Sequence, residues 1–158
     1  MGQKITPCLW YNGNALEAID FYAGIFDDVE ITATDYYTEV GPLPEGTVMF
    51  VEFTMNGNEF EAINAGPEFS FNEAISLSID CKDQAEVDYF WEKLGEGGEY
   101  GPCGWLKDRY GLSWQVTPRR LFELTRDPNK TKANAAMNAM LQMGKIEVAG
   151  LEAAFDNA

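Results

Sequence analysis

The chain has 158 residues, 46% of them hydrophobic and 13% aromatic, which is enough for one domain with a substantial core. Its formal net charge of -15 repels phosphate backbones and anionic lipid, leaves no basic stripe, and so excludes nucleic acid as a partner. No apolar run is long enough to span a bilayer and no charged-then-apolar leader is present, so a cytoplasmic protein without membrane association is expected. Met1-Gly2-Gln3-Lys4-Ile5-Thr6 fits the short myristoylation pattern, which is set aside because the first expected strand begins at Ile5. Cys8, Cys81 and Cys103 are an odd number at unrelated spacings, as suits a reducing compartment and buried thiols rather than a disulfide framework.

Taken in order, Ile5 to Tyr11 reads as a strand ending at Asn12-Gly13. Asn14 then caps a helix with Glu17 in capping-box position, and Leu16, Ile19, Tyr22 and Phe26 recur at helical spacing. Val29 to Tyr37 is β-branched and aromatic and reads as a second strand before a Gly41-to-Gly46 loop. Val48 to Met55, Asn56-Gly57 and Asn58 to Ala65 form a hairpin, because Asn-Gly accepts the positive φ angles of a type I′ turn. A two-residue turn pairs Met55 with Asn58, Phe53 with Phe60, Val51 with Ala62 and Met49 with Asn64. The opposite face then stacks Thr54 on Glu59, Glu52 on Glu61 and Phe50 on Ile63.

Ala74 to Asp80 is a strand again, and Asp83 caps a helix with Glu86 at its third position and Val87, Phe90, Trp91 and Leu94 on one face. Ala18-Ile19-Asp20-Phe21-Tyr22 and Glu86-Val87-Asp88-Tyr89-Phe90 echo one another at an offset of 68 residues, with apolar, Asp and aromatic positions in step. Gly95, Gly97 and Gly98 end this helix. Cys103 to Val116 then reads as a hairpin whose loop is Asp108 to Gly111. That loop would set Lys107 opposite Leu112 and Trp105 opposite Trp114, leaving Gly104, Leu106, Ser113 and Gln115 on a face with little bulk, which reads either as one side of an ordinary amphipathic hairpin or as a strand face beside a cavity. The remainder is helical. Arg119 to Arg126 is a short helix, Asp127-Pro128 starts the next as N-cap and first helical residue, and Val148 to Phe155 is the last. Ala133, Ala136, Met137, Met140 and Leu141 share one helical face, a stripe for packing or subunit contact.

The sequence has no histidine, which removes Ser-His-Asp and Cys-His catalysis, HExxH zinc sites and imidazole ligation at once. No glycine-rich dinucleotide or phosphate-loop pattern occurs. Candidate chemistry reduces to the Glu52/Glu61 pair, Gln115, the aromatics Trp10 and Tyr11, and Cys8 or Cys103. Two carboxylates across a ladder are either a solvated face or a pair that shares a proton or a hard cation.

The stretches Ile5-Thr6-Pro7-Cys8-Leu9-Trp10-Tyr11, Ala18-Ile19-Asp20-Phe21-Tyr22, Gly66-Pro67-Glu68-Phe69 with Phe71-Asn72-Glu73-Ala74-Ile75-Ser76, and Cys103-Gly104-Trp105-Leu106-Lys107-Asp108 carry a resemblance. The chain resembles the PhnB-like branch of the vicinal oxygen chelate superfamily, also called the glyoxalase, bleomycin-resistance and dioxygenase superfamily. The resemblance implies an α+β fold of two βαβββ modules, whose curved mixed sheets surround a cavity, with a C-terminal helical extension. On this reading 1–158 is a single domain with module one at about 4–66, module two at about 72–118 and the tail at about 119–158. A homodimer is implied too, and cupped sheets with open edges are consistent with one.

Metal-dependent relatives place four ligands on strands, and the matching positions here are Thr6, Glu61, Ala74 and Gln115. Only Glu61 and Gln115 could coordinate, so no metal and no cofactor are expected. Relatives are often labelled demethylubiquinone methyltransferases, but no glycine-rich methyl-donor motif is present. The expected function is a small-molecule-binding cavity with Trp10, Phe50, Ile63 and Gln115 as ligand-binding residues. The alternative is a lyase, isomerase or similar enzyme with Glu61 as acid or base, coupled to Glu52. A purely structural subunit is a third reading.

Overall fold

The computed structural model describes residues 4–158, so the first residues of the myristoylation pattern, Met1-Gly2-Gln3, lie outside the described residues. The chain divides into two compact units, Met1–Phe71 and Asn72–Ala158. In the first, β1 (Cys8–Tyr11), α1 (Ala15–Ala23), β2 (Val29–Tyr36), β3 (Val48–Met55) and β4 (Asn58–Asn64) give a four-stranded sheet of order β1-β4-β3-β2. In the second, β5 (Ser76–Cys81), α2 (Gln84–Gly95), β6 (Glu99–Tyr100), β7 (Trp105–Lys107) and β8 (Ser113–Pro118) give the order β5-β8-β7-β6. In both units the first and last strands pair in parallel and the rest are antiparallel. The α+β class and the two βαβββ modules are therefore as expected, and the echoed segments fall on α1 and α2. Three further helices complete the second unit, α3 (Arg119–Thr125), α4 (Lys130–Met140) and α5 (Val148–Asp156).

In the first unit Asn56 and Gly57 take φ of 49° and 73°, and the β3–β4 register follows as the turn demands. Val51, Phe53, Met55, Phe60 and Ala62 are buried on one face, with the Phe53 and Phe60 rings stacked at 5.4 Å. Helix α1 packs on this sheet through Ala15, Ala18, Ile19 and Tyr22, all buried. Each large apolar side chain removed from water there contributes roughly 1.5 to 3 kcal/mol.

Two local expectations are corrected in this unit. The first strand starts at Cys8 rather than Ile5; the Pro7 carbonyl still accepts from the Glu61 amide at 2.9 Å, while Ile5 is exposed. Asn14 sits at the N-cap of α1 without a side-chain cap bond. The Ala15 amide donates instead to Asn64 Oδ1 at 3.0 Å, so a residue of β4 satisfies one of the helix's orphan donors.

In the second unit Asp83 caps α2 as expected, accepting from the Glu86 amide at 3.0 Å. The Glu86 carboxylate reaches back to the Lys82 amide, one residue further out than a capping box requires. The tryptophan hairpin differs from expectation by one residue. Leu106 stands opposite Trp114, Lys107 opposite Ser113 and Trp105 opposite Gln115. The cause is Asp108, which stays in the ladder through its amide, bonded to the Leu112 carbonyl at 2.9 Å. Its side chain closes the loop: Oδ1 accepts from the Tyr110 and Leu112 amides at 2.9 and 3.1 Å, and Oδ2 from Trp114 Nε1 at 2.9 Å. The loop is thus three residues long and Gly111 takes the left-handed position, with φ 87°.

The tail also starts differently. Asn129, not Asp127, caps α4 by accepting from the Lys132 amide, and Asp127 and Pro128 precede the helix, with Asp127 holding the Asn129 amide. Leu121, Leu124, Ala136, Ile146 and Leu151 bury one cluster between the three helices, with Met140 packed against it. The methionine stripe is divided, because Met137 and Leu141 are exposed.

Asp108 is 2% exposed, so its removal strands buried donors. Asp108→Ala is expected to cost about 3 kcal/mol in urea unfolding, and Asp108→Asn about half of that. A loss below about 1 kcal/mol for the alanine variant would show that the carboxylate does not set the hairpin.

Candidate functional site

The face of the second sheet turned away from α2 carries two rows of side chains. Glu99, Lys107, Ser113 and Ser76 follow one another across β6, β7, β8 and β5, and Trp105, Gln115 and Ser78 form the next row. Beside the first row lies a cleft of about 440 Å³ whose lining includes Glu73, Glu99, Cys103, Trp105, Lys107 and Ser113. Ser113 is 1% exposed, and among the described residues its hydroxyl oxygen has no hydrogen-bond partner. Lys107 Nζ meets Glu73 Oε1 at 2.5 Å and Glu99 Oε2 at 4.0 Å. The hydrogen bond from Lys107 holds the Glu73 carboxyl below the usual range and, reciprocally, holds the ammonium above its own. Gln115 lies in the adjacent row, where its amide donates to Ser76 Oγ at 2.9 Å.

The tail helps to shape this cleft. The amides of Cys103 and Gly104 donate to the carbonyls of Met143 and Gly144, both at 2.7 Å. Gly104 has φ 80°, and a side chain there would stand 2.8 Å from the Val116 carbonyl oxygen, so this crossing requires glycine. The Gln84 side chain ties the same segment to α2, donating to the Ile146 carbonyl and accepting from the Val148 amide.

In the first unit the face turned away from α1 has its own two rows. Trp10, Ile63, Phe50 and Asp35 lie across β1, β4, β3 and β2; Cys8, Glu61, Glu52 and Ala33 form the next. The expected register therefore brings Glu52 opposite Glu61, and they line a cleft of about 340 Å³ with Thr6, Thr32, Thr54 and Glu59. Trp10, Phe50 and Ile63 come together as neighbours on the same face without lining that cleft. The Trp10 indole donates to the Gly66 carbonyl at 2.9 Å, and its ring meets Phe69 edge-on.

Laid on the four ligand positions of the metal-dependent relatives, this donor set does not fit a transition metal. Glu61 supplies one carboxylate, Gln115 one amide oxygen while its Nε2 donates to Ser76, and Ala74 nothing. Thr6 and Ala74 precede their strands, and Cys8 rather than Thr6 is the cross-strand neighbour of Glu61. Among the described residues no group of three or more histidine, cysteine, aspartate or glutamate side chains is placed to hold a metal ion.

The sequence reading missed Lys107, Trp105, Glu73 and Glu99. The first two were assigned to the wrong face by the one-residue slip at Asp108. Glu73 and Glu99 carry no periodic signal, one in a turn and the other on a two-residue edge strand. The signal that could have found them is Asp-x-x-Gly between aromatic strands, read as an aspartate-closed three-residue loop.

Burial around its sulfur, and then the Glu61 carboxylate, push the exposed Cys8 thiol above its ordinary range, while burial first among several causes pushes Cys81 up to about 12. A raised pKa means less thiolate at a given pH. At pH 8 iodoacetamide is expected to modify Cys8 more slowly than a free cysteine, and Glu61→Gln to speed the reaction by removing the second cause. An unchanged rate in that variant would remove Glu61 from the account.

A profile of the 3-demethylubiquinone-9 3-methyltransferase family matches residues 3–117. Among solved structures the chain is similar to the PhnB protein from Bacillus cereus, at 40% identity over 73% of this chain and 99% of that one, with a TM-score of 0.65. A protein from Pseudomonas aeruginosa matches at 22% identity over 72% of this chain and 95% of its own, with a TM-score of 0.58. The fosfomycin resistance protein FosX from Mesorhizobium loti matches at 12% identity over 72% and 89%, with a TM-score of 0.50. The last two likenesses are of fold alone. No curated protein matches. With most of its length matched by the family profile, and two modules of identical strand order, the chain belongs to the 3-demethylubiquinone-9 3-methyltransferase, or PhnB-like, family and has the fold of the vicinal oxygen chelate superfamily.

Proposed function

We propose that this PhnB-like chain is a small-molecule-binding protein whose ligand enters the cleft of the second unit. The observation that carries the reading is the Ser113 hydroxyl, buried at the cleft and without a partner. A buried hydroxyl left unpaired costs about 1 to 3 kcal/mol, a cost that a bound polar group would recover. The cleft's volume of about 440 Å³ lies within the range of small-molecule sites. Gln115, already tied to Ser76, extends the same polar face.

A second reading rests on the Glu52/Glu61 pair in the cleft of the first unit. There Glu61 would act as acid or base in a lyase or isomerase reaction, with Glu52 beside it and the apolar row Trp10, Ile63 and Phe50 holding the substrate. The reading involves no transition metal. Elemental analysis of untagged protein checks this, and near-equimolar metal that is lost in Glu61→Ala would replace acid–base chemistry with metal chemistry.

A homodimer in a reducing, cytoplasmic setting is part of the proposal. Its support is the outer strands of both sheets, the exposed Phe122, Met137 and Leu141 of the tail, and three free cysteines. Among the described residues no helix is long and apolar enough to cross a membrane. Sedimentation at micromolar concentration is expected to give twice the chain mass, and a strictly monomeric mass overturns the dimer.

For the ligand site, Ser113→Ala is expected to leave the unliganded protein as stable as before, or more stable by up to about 1 kcal/mol, because an unpaired hydroxyl is lost. A destabilisation above about 1 kcal/mol would mean the hydroxyl is partnered, and the observation carrying this reading would fall.

A further inference from the structure

Among the described residues Lys107 is the one cationic side chain lining the cleft of the second unit, and it stands directly across the β7–β8 ladder from Ser113. Side chains opposite one another in such a pair leave the same face about 5 Å apart. An ammonium group and a buried, unpartnered hydroxyl therefore flank one spot. The ammonium is held by a carboxylate of the chain itself, Glu73, at 2.5 Å. Glu73 comes from the turn ahead of β5, and its side chain is 60% exposed. An ion pair between exposed side chains is weak and is exchanged at little cost. Glu73 thus stands in for an acid group, and the Ser113 hydroxyl shows that the stand-in does not complete the site. Trp105, next along the same face of β7 and half-buried, supplies a flat apolar wall.

Resting on the proposed binding function of this cleft, we propose that its ligand is a small planar or aromatic molecule bearing one carboxylate, which displaces Glu73 from Lys107 and accepts a hydrogen bond from Ser113 Oγ. The formal net charge of -15 does not oppose this. Exposed charges further away than about 8 Å are largely screened at physiological salt, whereas a contact pair with Lys107 is local. A cationic ligand would have to approach Lys107 at contact distance. A neutral amide would leave the Lys107–Glu73 pair intact and gain the Ser113 bond alone. A second acid group on the ligand would meet Glu99, which limits the ligand to one.

The test is a matched trio, 2-naphthoate, 2-naphthamide and 2-naphthylmethylamine, titrated into the full chain while the Trp105 indole and Ser113 amide resonances are followed. The acid is expected to bind at least about tenfold more tightly than the amide or the amine. Lys107→Met is expected to weaken the acid about tenfold, and Ser113→Ala about threefold. Glu73→Gln, a change at an exposed position, is expected to tighten it about threefold by releasing the ammonium, an effect that a merely structural role for Glu73 would not give. Amide or amine binding as tight as the acid, or acid binding that ignores both Lys107→Met and Glu73→Gln, overturns the carboxylate ligand and leaves the cleft as the binding site. No response at Trp105 to any of the three probes, in the wild type and in Glu73→Gln alike, overturns both.

Discussion

The carboxylate of Asp108 decides which side chains face the cleft. Its two oxygens take three hydrogen bonds, from two loop amides and the Trp114 indole, while its own amide remains in the ladder. A buried carboxylate is tolerated only when its acceptor capacity is used, and these three partners lie within six residues of it. The consequence propagates along both strands. With the loop three residues long, Leu106 and Trp114 turn toward the core and Trp105, Lys107, Ser113 and Gln115 turn away from it. A slip of one residue would bring Leu106, in place of Trp105 and Lys107, to the face of Ser113 and Gln115.

The two units show how one topology can present different chemistry. Both have a helix packed on one face of a sheet of the same order, and both turn the opposite face away from that helix. In the first unit that face joins an apolar row, Trp10, Ile63 and Phe50, to a row of cysteine and carboxylates. In the second the corresponding face is polar, with a single ammonium and three serines among its two rows. Burial, and then Glu61 of the acidic row, hold the thiol of Cys8 above its ordinary range. The polar row instead leaves one hydroxyl unpaired, and an unpaired buried donor is a stronger indication of a missing partner than any exposed carboxylate.

Support for these faces comes from polar side chains that bridge elements distant in sequence. Asn64 is one: Oδ1 holds the first amide of α1 and Nδ2 the Val48 carbonyl, while its own carbonyl accepts from Tyr37 Oη. Gln84 is another, joining α2 to the segment before α5. That segment lies beyond the family match, which ends at residue 117, yet it holds the backbone of Cys103 and Gly104 at the edge of the cleft. The tail in this way supports the edge of the second unit's cleft.

The sequence by itself determined the α+β class, the repeated order of elements and the β3–β4 register, because each is set by local terms. Asn56-Gly57 has one comfortable hairpin geometry, and hydrophobic period separates strand from helix. It also placed Glu52 against Glu61 and Phe50 against Ile63 on one face, since these follow from that register. Only the tertiary structure decided the face of the tryptophan hairpin, the cap of α1 and the partners of Lys107. In each case a side chain replaced a backbone group or reached across the fold. Asp108 closed a loop that backbone counting made one residue longer, Asn64 capped a helix 49 residues away in place of Asn14, and Glu73 crossed from a turn to β7. Contacts of that kind leave no periodic trace, because they depend on where two distant segments meet.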